Sequence, residues 1–187
     1  MLTWWKNSSP LMKFLIKAGG LYLLWNLTYY SFLKNSPLDT WLSANVAQSS
    51  AVGLQLIGYD GTYSFTQGNA YVGIGNKIAV IIGHPCNGLI LYALFAGFIL
   101  AYNGDWKLKL LVIPVGVFLI YFINIVRCML LAIDYVYRKN SFELNHKFTY
   151  TIVVYAIIFT LWMLWANKLS DIRIRLNFTK NQNYISK

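Results

Sequence analysis

Cys86, Arg127 and His146 are the three residues of this sequence whose side chains match the needs of a cysteine acyl-transfer reaction. A thiolate attacks a carbonyl, an imidazole moves the proton, and a guanidinium stabilises the negative charge that develops on oxygen. The three lie far apart in the chain, so the fold has to bring them together. Cys86 sits in His84-Pro85-Cys86-Asn87-Gly88. Pro85 fixes the turn before it, and Asn87-Gly88 lets the backbone approach another group closely. An apolar run follows at once, which places Cys86 at a helix N-terminus. There the macrodipole favours an anion and backbone N–H groups can receive an oxyanion. The bland reading of such a cysteine is a small buried hydrophobe.

Arg127 lies inside an apolar run, where an arginine is costly and tends to mark function; its bland reading is snorkelling to the nearby interface. Asn124 is three residues earlier, on the same helix face, so the two form one polar patch. His146 belongs to a polar loop. Alone it is plain surface, but opposite a helix-start cysteine it is the base candidate. It ranks ahead of His84, whose short link to Cys86 gives poor in-line geometry. Cys128 points about 100° away from Arg127 around a helix and is read as lipid- or core-facing packing, away from the site. Two cysteines are too few for a disulfide scaffold. No G-x-S-x-G, H-E-x-x-H, metal-ligand spacing or glycine-rich phosphate loop is present, so no metal and no cofactor is expected.

The elements that must carry these residues are those of a membrane protein. Of 187 residues, 57% are hydrophobic and only 12% charged, about half the charged fraction of a soluble domain. That excludes a water-soluble enzyme and a disordered chain. Four runs approach the length of about 20 residues that spans a bilayer: roughly 14–33, 87–103, 109–132 and 147–167. The first, preceded by Lys6, Lys13 and Lys17 with no small-residue cleavage site after it, reads as an uncleaved signal anchor. Within 38–85, residues 38–58 mix apolar and polar side chains and are expected to form an amphipathic helix at the interface, closed by Gly58. The glycine-punctuated stretch 59–85 reads as a β-hairpin or small meander leading into the cysteine. The fold class is therefore mainly α: a single-domain polytopic helix bundle of about four spans, with an outer amphipathic helix and a small β-hairpin before Cys86.

Charge sets the orientation. The net charge is +10, which in a chain this apolar reflects the positive-inside rule and contact with anionic lipid rather than nucleic acid. With the N-terminus inside, segments 1–17, 103–109 and 168–187 are internal and hold ten of the 16 basic residues against two acids. Residues 168–187 then form a basic inner tail. Cys86, Arg127 and His146 all fall at the outer leaflet.

Cys86-Asn87-Gly88 after a glycine-punctuated segment, Asn124-x-x-Arg127 in a later hydrophobic helix, and His146 before a final span together resemble the exosortase/archaeosortase family. The likeness covers roughly residues 40–167 and is greatest to the short Bacteroidetes-type members. It implies a multi-pass inner-membrane cysteine transpeptidase with Cys86, Arg127 and His146 as the catalytic triad and Asn124, Asn87 and Gly88 in support. It also implies an exported protein substrate, cut at the periplasmic face, whose C-terminal sorting signal joins a short motif to a transmembrane helix and a basic tail. Asn87 departs from the family pattern, where that position is often Ser or Ala. The rival expectations are a plain signal-cleaving protease, or a non-catalytic membrane assembly factor for surface protein or exopolysaccharide export.

Overall fold

The structure is a computed structural model that describes residues 8–34, 36–66, 68–83, 86–139, 142 and 150–169. It is mainly helical with one small sheet. In chain order, α1 spans Pro10–Thr28 and runs on as a π-helical turn through Leu33, and α2 spans Pro37–Leu56. Strands β1 (Gly61–Thr66), β2 (Asn69–Ile74) and β3 (Lys77–Ile82) follow, then α3 (Leu89–Ala101), α4 (Trp106–Tyr137) and α5 (Tyr150–Leu164), which also continues as a π-helical turn to Leu169.

The first two helices start on the same device. Ser9 and Ser36 are N-caps whose hydroxyls accept from Met12 N and Asp39 N, each at 3.2 Å, and Pro10 and Pro37 occupy the first helical turn, where a missing N–H costs nothing. Helix α2 closes at Gly58 as expected: Gly58 N donates to Gln55 O and Tyr59 N to Leu54 O, both at 3.0 Å, the paired bonds of a Schellman stop. Lys109, one of the basic residues of the expected inner segment 103–109, is buried. Its ammonium donates to Leu100 O and Tyr102 O at 3.1 and 2.6 Å, so it also holds the carbonyls at the end of α3.

The expected hairpin is a three-stranded antiparallel meander in the order β1-β2-β3, with a bulge opposite Val72/Gly73. One face of β2 and β3 (Ala70, Val72, Val80, Ile82) packs with Val46, Ala47 and Leu54 of α2 and with Cys128, Leu131 and Ala132 of α4. A second cluster joins Phe95 and Ile99 of α3 to Ile120 of α4 and Val154 and Ile158 of α5. It closes tightly because Gly116 leaves the space that the Phe95 ring fills.

Among the described residues, two helices are long and apolar enough to cross a bilayer, Trp106–Tyr137 and Tyr150–Asn167. Few of their residues are buried within the protein, so their apolar surface faces outward, as lipid contact demands. Helix α3 has 13 residues, which is about 20 Å of helix, short of a bilayer core of about 30 Å. Helix α1 buries none of its residues and leans on α3 through Phe14, whose ring meets Phe98 edge-on at 5.4 Å. The two helices flank an apolar groove of about 440 Å³. The segments expected at 14–33, 87–103, 109–132 and 147–167 thus each contain a helix, but only the last two coincide with helices of spanning length and apolarity.

Helix α2 differs from its expectation in its facing. Its buried residues are Asp39, Ser43, Val46, Ala47, Ser50, Ala51 and Leu54, while Trp41, Val52 and Leu56 are exposed. Much of the polar side is turned into the protein, against α4 and the residues around Cys86.

Candidate active site

The turn that carries Cys86 links β3 to α3. Cys86 N and Asn87 N both donate to Gly83 O, at 2.8 and 3.1 Å. Helix α3 begins only at Leu89, with Gly88 as its N-cap at φ 87°. Cys86 is therefore two residues ahead of the N-cap rather than on the helix itself. Three of the nearby amides expected to offer themselves to an oxyanion already have acceptors. Those of Cys86 and Asn87 are taken by Gly83, and Leu89 N donates to Asn87 Oδ1 at 3.1 Å. Gly88 is fixed by its conformation, and a Cβ there would also stand 2.7 Å from the Tyr92 hydroxyl oxygen. Gly88→Ala is expected to cost about 2–3 kcal/mol, from the left-handed backbone and the crowding together. A lowered thermal midpoint of the purified protein in detergent checks this, and a midpoint equal to the parent refutes it.

Asn124 lies on the inner face of α4 and is completely buried. Its Nδ2 donates to Cys86 O at 2.8 Å, and its Oδ1 accepts from Arg127 Nη1 at 3.4 Å. One amide side chain thus joins the residue bearing the thiol to the cation. The Arg127 Nε is buried and has no hydrogen-bond partner among the described residues. A guanidinium that had snorkelled to water would not enclose that atom. The group keeps donor capacity next to Cys86, which suits it to an incoming oxyanion or carboxylate.

Asn87 is also completely buried. Its Nδ2 donates to Asp39 Oδ1 and, at 3.2 Å, to Ser43 Oγ, while its backbone carbonyl accepts from the Tyr92 hydroxyl at 3.4 Å. On the α4 side, Tyr121 shares a 3.0 Å hydrogen bond with Ser49 of α2. The sequence reading missed Asp39, Ser43, Ser49, Tyr92 and Tyr121. The available signal was helical spacing in α2, where Asp39, Ser43 and Ser50 fall on the same stripe as Val46, Ala47 and Leu54.

Cys128 is 1% exposed and belongs to the core cluster against which Cys86 packs. Core packing is as expected, but the side is not: Cys128 faces the site's own core rather than away from it. Both cysteines are free thiols. His146 and His84 lie outside the described residues. The structure therefore joins Cys86, Asn87, Gly88, Asn124 and Arg127 in one continuous site, with Asp39 and Ser43 behind it.

The backbone carbonyl of the half-buried Cys86 is thus tied through the Asn124 amide to the Arg127 guanidinium. No curated protein and no solved structure matches this chain. A family model described as transmembrane exosortase (Exosortase_EpsH) matches residues 2–165, nearly the whole of it and the whole of the site. The chain belongs to the transmembrane exosortase family.

Proposed function

We propose that the chain is a multi-pass membrane cysteine transpeptidase that processes the C-terminal sorting signals of exported proteins, with Cys86 as nucleophile. The observation that carries this reading is the Cys86–Asn124–Arg127 linkage, in which one buried amide holds both the backbone of the cysteine and the guanidinium. The four-span topology, with α1 and α3 as further membrane segments and the site at the outer face, belongs to the same proposal and is supported by the placement of basic residues.

In this reading the substrate's C-terminal helix lies in the bilayer with its basic tail inside. The groove between α1 and α3 supports such a placement, since it is lined by Ile90 and Leu94 in the first turns after the Cys86 motif. The Cys86 thiol loses its proton to His146, and its sulfur attacks the scissile carbonyl. Arg127 receives the oxyanion. As the tetrahedral intermediate collapses, the carbon–nitrogen bond breaks and the leaving amine takes the proton from His146. A thioester on Cys86 remains, and an acceptor amine or water resolves it, restoring the thiol.

The test is co-expression with an exported protein that ends in a transmembrane helix and a basic tail. Its size is read by immunoblot and its new C-terminus by mass spectrometry. Shortening with a mass adduct on the new C-terminus is the expected result. Shortening with a free carboxylate identifies a signal-cleaving protease using the same residues.

A further inference from the structure

We propose that Asp39 is a positioning residue for Cys86, acting through Asn87. The inference rests on Cys86 being the nucleophile. Asp39 is 2% exposed and stands in the first turn of α2, three residues after the N-cap Ser36. An acid at that position commonly reaches back to the N-cap amide. Here Ser36 N already donates to Leu33 O at 3.0 Å, and Asp39 Oδ1 accepts from Asn87 Nδ2. Ser43, one turn along, donates to Asp39 O at 2.9 Å and accepts from the same Asn87 nitrogen. The other end of the Asn87 amide accepts from Leu89 N.

These contacts leave Asn87 one orientation. Its nitrogen must face the carboxylate of Asp39, and its oxygen must face the start of α3. Asn87 is bonded covalently to Cys86, and both share Gly83 O through their amides. Asn124 holds the Cys86 carbonyl from the opposite side. The thiol-bearing residue is thus gripped from α2 by Asp39 through Asn87, and from α4 by Asn124. A buried carboxylate is an expensive way to fill space, and an apolar residue would pack there more cheaply. What Asp39 supplies is an acceptor of fixed direction. A Ser or Ala in place of Asn87 is too short to span the same gap.

The experiment exchanges donor and acceptor. In full-length protein carrying Cys128→Ala, Cys86 is the sole cysteine, and its labelling rate by a maleimide reports how firmly the turn is held. Asn87→Asp sets two carboxylates face to face and is expected to raise the rate about tenfold or more, the scale of breaking one buried hydrogen bond. Adding Asp39→Asn restores a donor–acceptor pair of opposite sense and returns the rate to within about threefold of the parent on the same scale. Equal labelling of Asn87→Asp with and without Asp39→Asn overturns the proposal. If Asn87→Asp fails to accumulate, Asp39→Leu and Asp39→Asn replace it: fast labelling in the first and parental labelling in the second supports the role, and equal rates overturn it. Processing of the co-expressed substrate is scored in the same variants. Rescue of labelling in variants whose processing matches that of Cys86→Ala, with a substrate that the parent does process, leaves the turn's support by Asp39 standing and counts against its role in the reaction.

Discussion

Replacing Cys86 by alanine is expected to abolish processing of a co-expressed substrate while the protein accumulates at the parental level. The first half follows from chemistry. Without sulfur no thioester forms, and Cys128, buried to 1% exposure, cannot take its place. The second half follows from the contacts. The hydrogen bonds that seat residue 86 are made by its backbone: its amide to Gly83 O and its carbonyl from Asn124. An alanine keeps both, so an absence of processing reports the nucleophile and not a misplaced turn. Serine keeps them as well, but offers a weakly acidic hydroxyl to a site arranged for a thiol. It is expected to fall by at least about 10²-fold, the scale of a general-base contribution. Immunoblots of substrate and enzyme from the same cells read both halves.

The same pair of strains separates the enzyme from an assembly factor. A non-catalytic protein supporting surface export needs the fold of the bundle, which Cys86→Ala preserves. Equal substrate handling by parent and variant removes Cys86 from any mechanism. It leaves the family membership, which rests on residues 2–165 as a whole, with a different role.

How far the sequence disclosed this site depended on contrast. Arg127 and Asn124 stand out because they interrupt an apolar run, and a spacing of three puts them on one face of any helix. Cys86 stands out because a proline and a glycine frame it. The residues behind the site lack that contrast. Asp39 and Ser43 occur in a stretch already rich in polar side chains, which reads as a helix lying at the interface with its polar side in water. The fold turns that side inward because Asn87 offers the buried groups partners, and a satisfied polar group can be enclosed. The position of Cys86 relative to α3 was hidden for a related reason. Asn87 is a polar residue at the edge of an apolar run and reads as the helix start. In the structure its side chain holds the Leu89 amide from outside the helix, so the regular turns begin two residues later. Nor does the apolar run after it announce that α3 is too short to span unaided.

Arg127→Lys is expected to lower processing by about 10²–10³-fold, the loss typical of one oxyanion donor, with little change in protein level. Lysine retains the charge but not the geometry. Arg127 reaches the Asn124 oxygen through one terminal nitrogen and holds its Nε enclosed, which leaves the rest of a planar fork to point at a reacting oxygen. An ammonium is a point charge with no such fork. Asn124→Leu is expected to lose a similar amount by another route. It removes the donor that holds Cys86 O and the acceptor that aims Arg127, leaving both groups without that partner in a buried setting. If Asn124 acts by joining the thiol to the cation, the two losses do not add: Arg127→Lys with Asn124→Leu is expected to fall no more than about threefold below the weaker single variant, as for residues that work as a unit. Initial rates of substrate shortening in the four strains, normalised to enzyme level, complete the cycle. Losses that multiply show Asn124 and Arg127 acting separately, and the bridge between Cys86 and Arg127 is then a feature of packing rather than of catalysis.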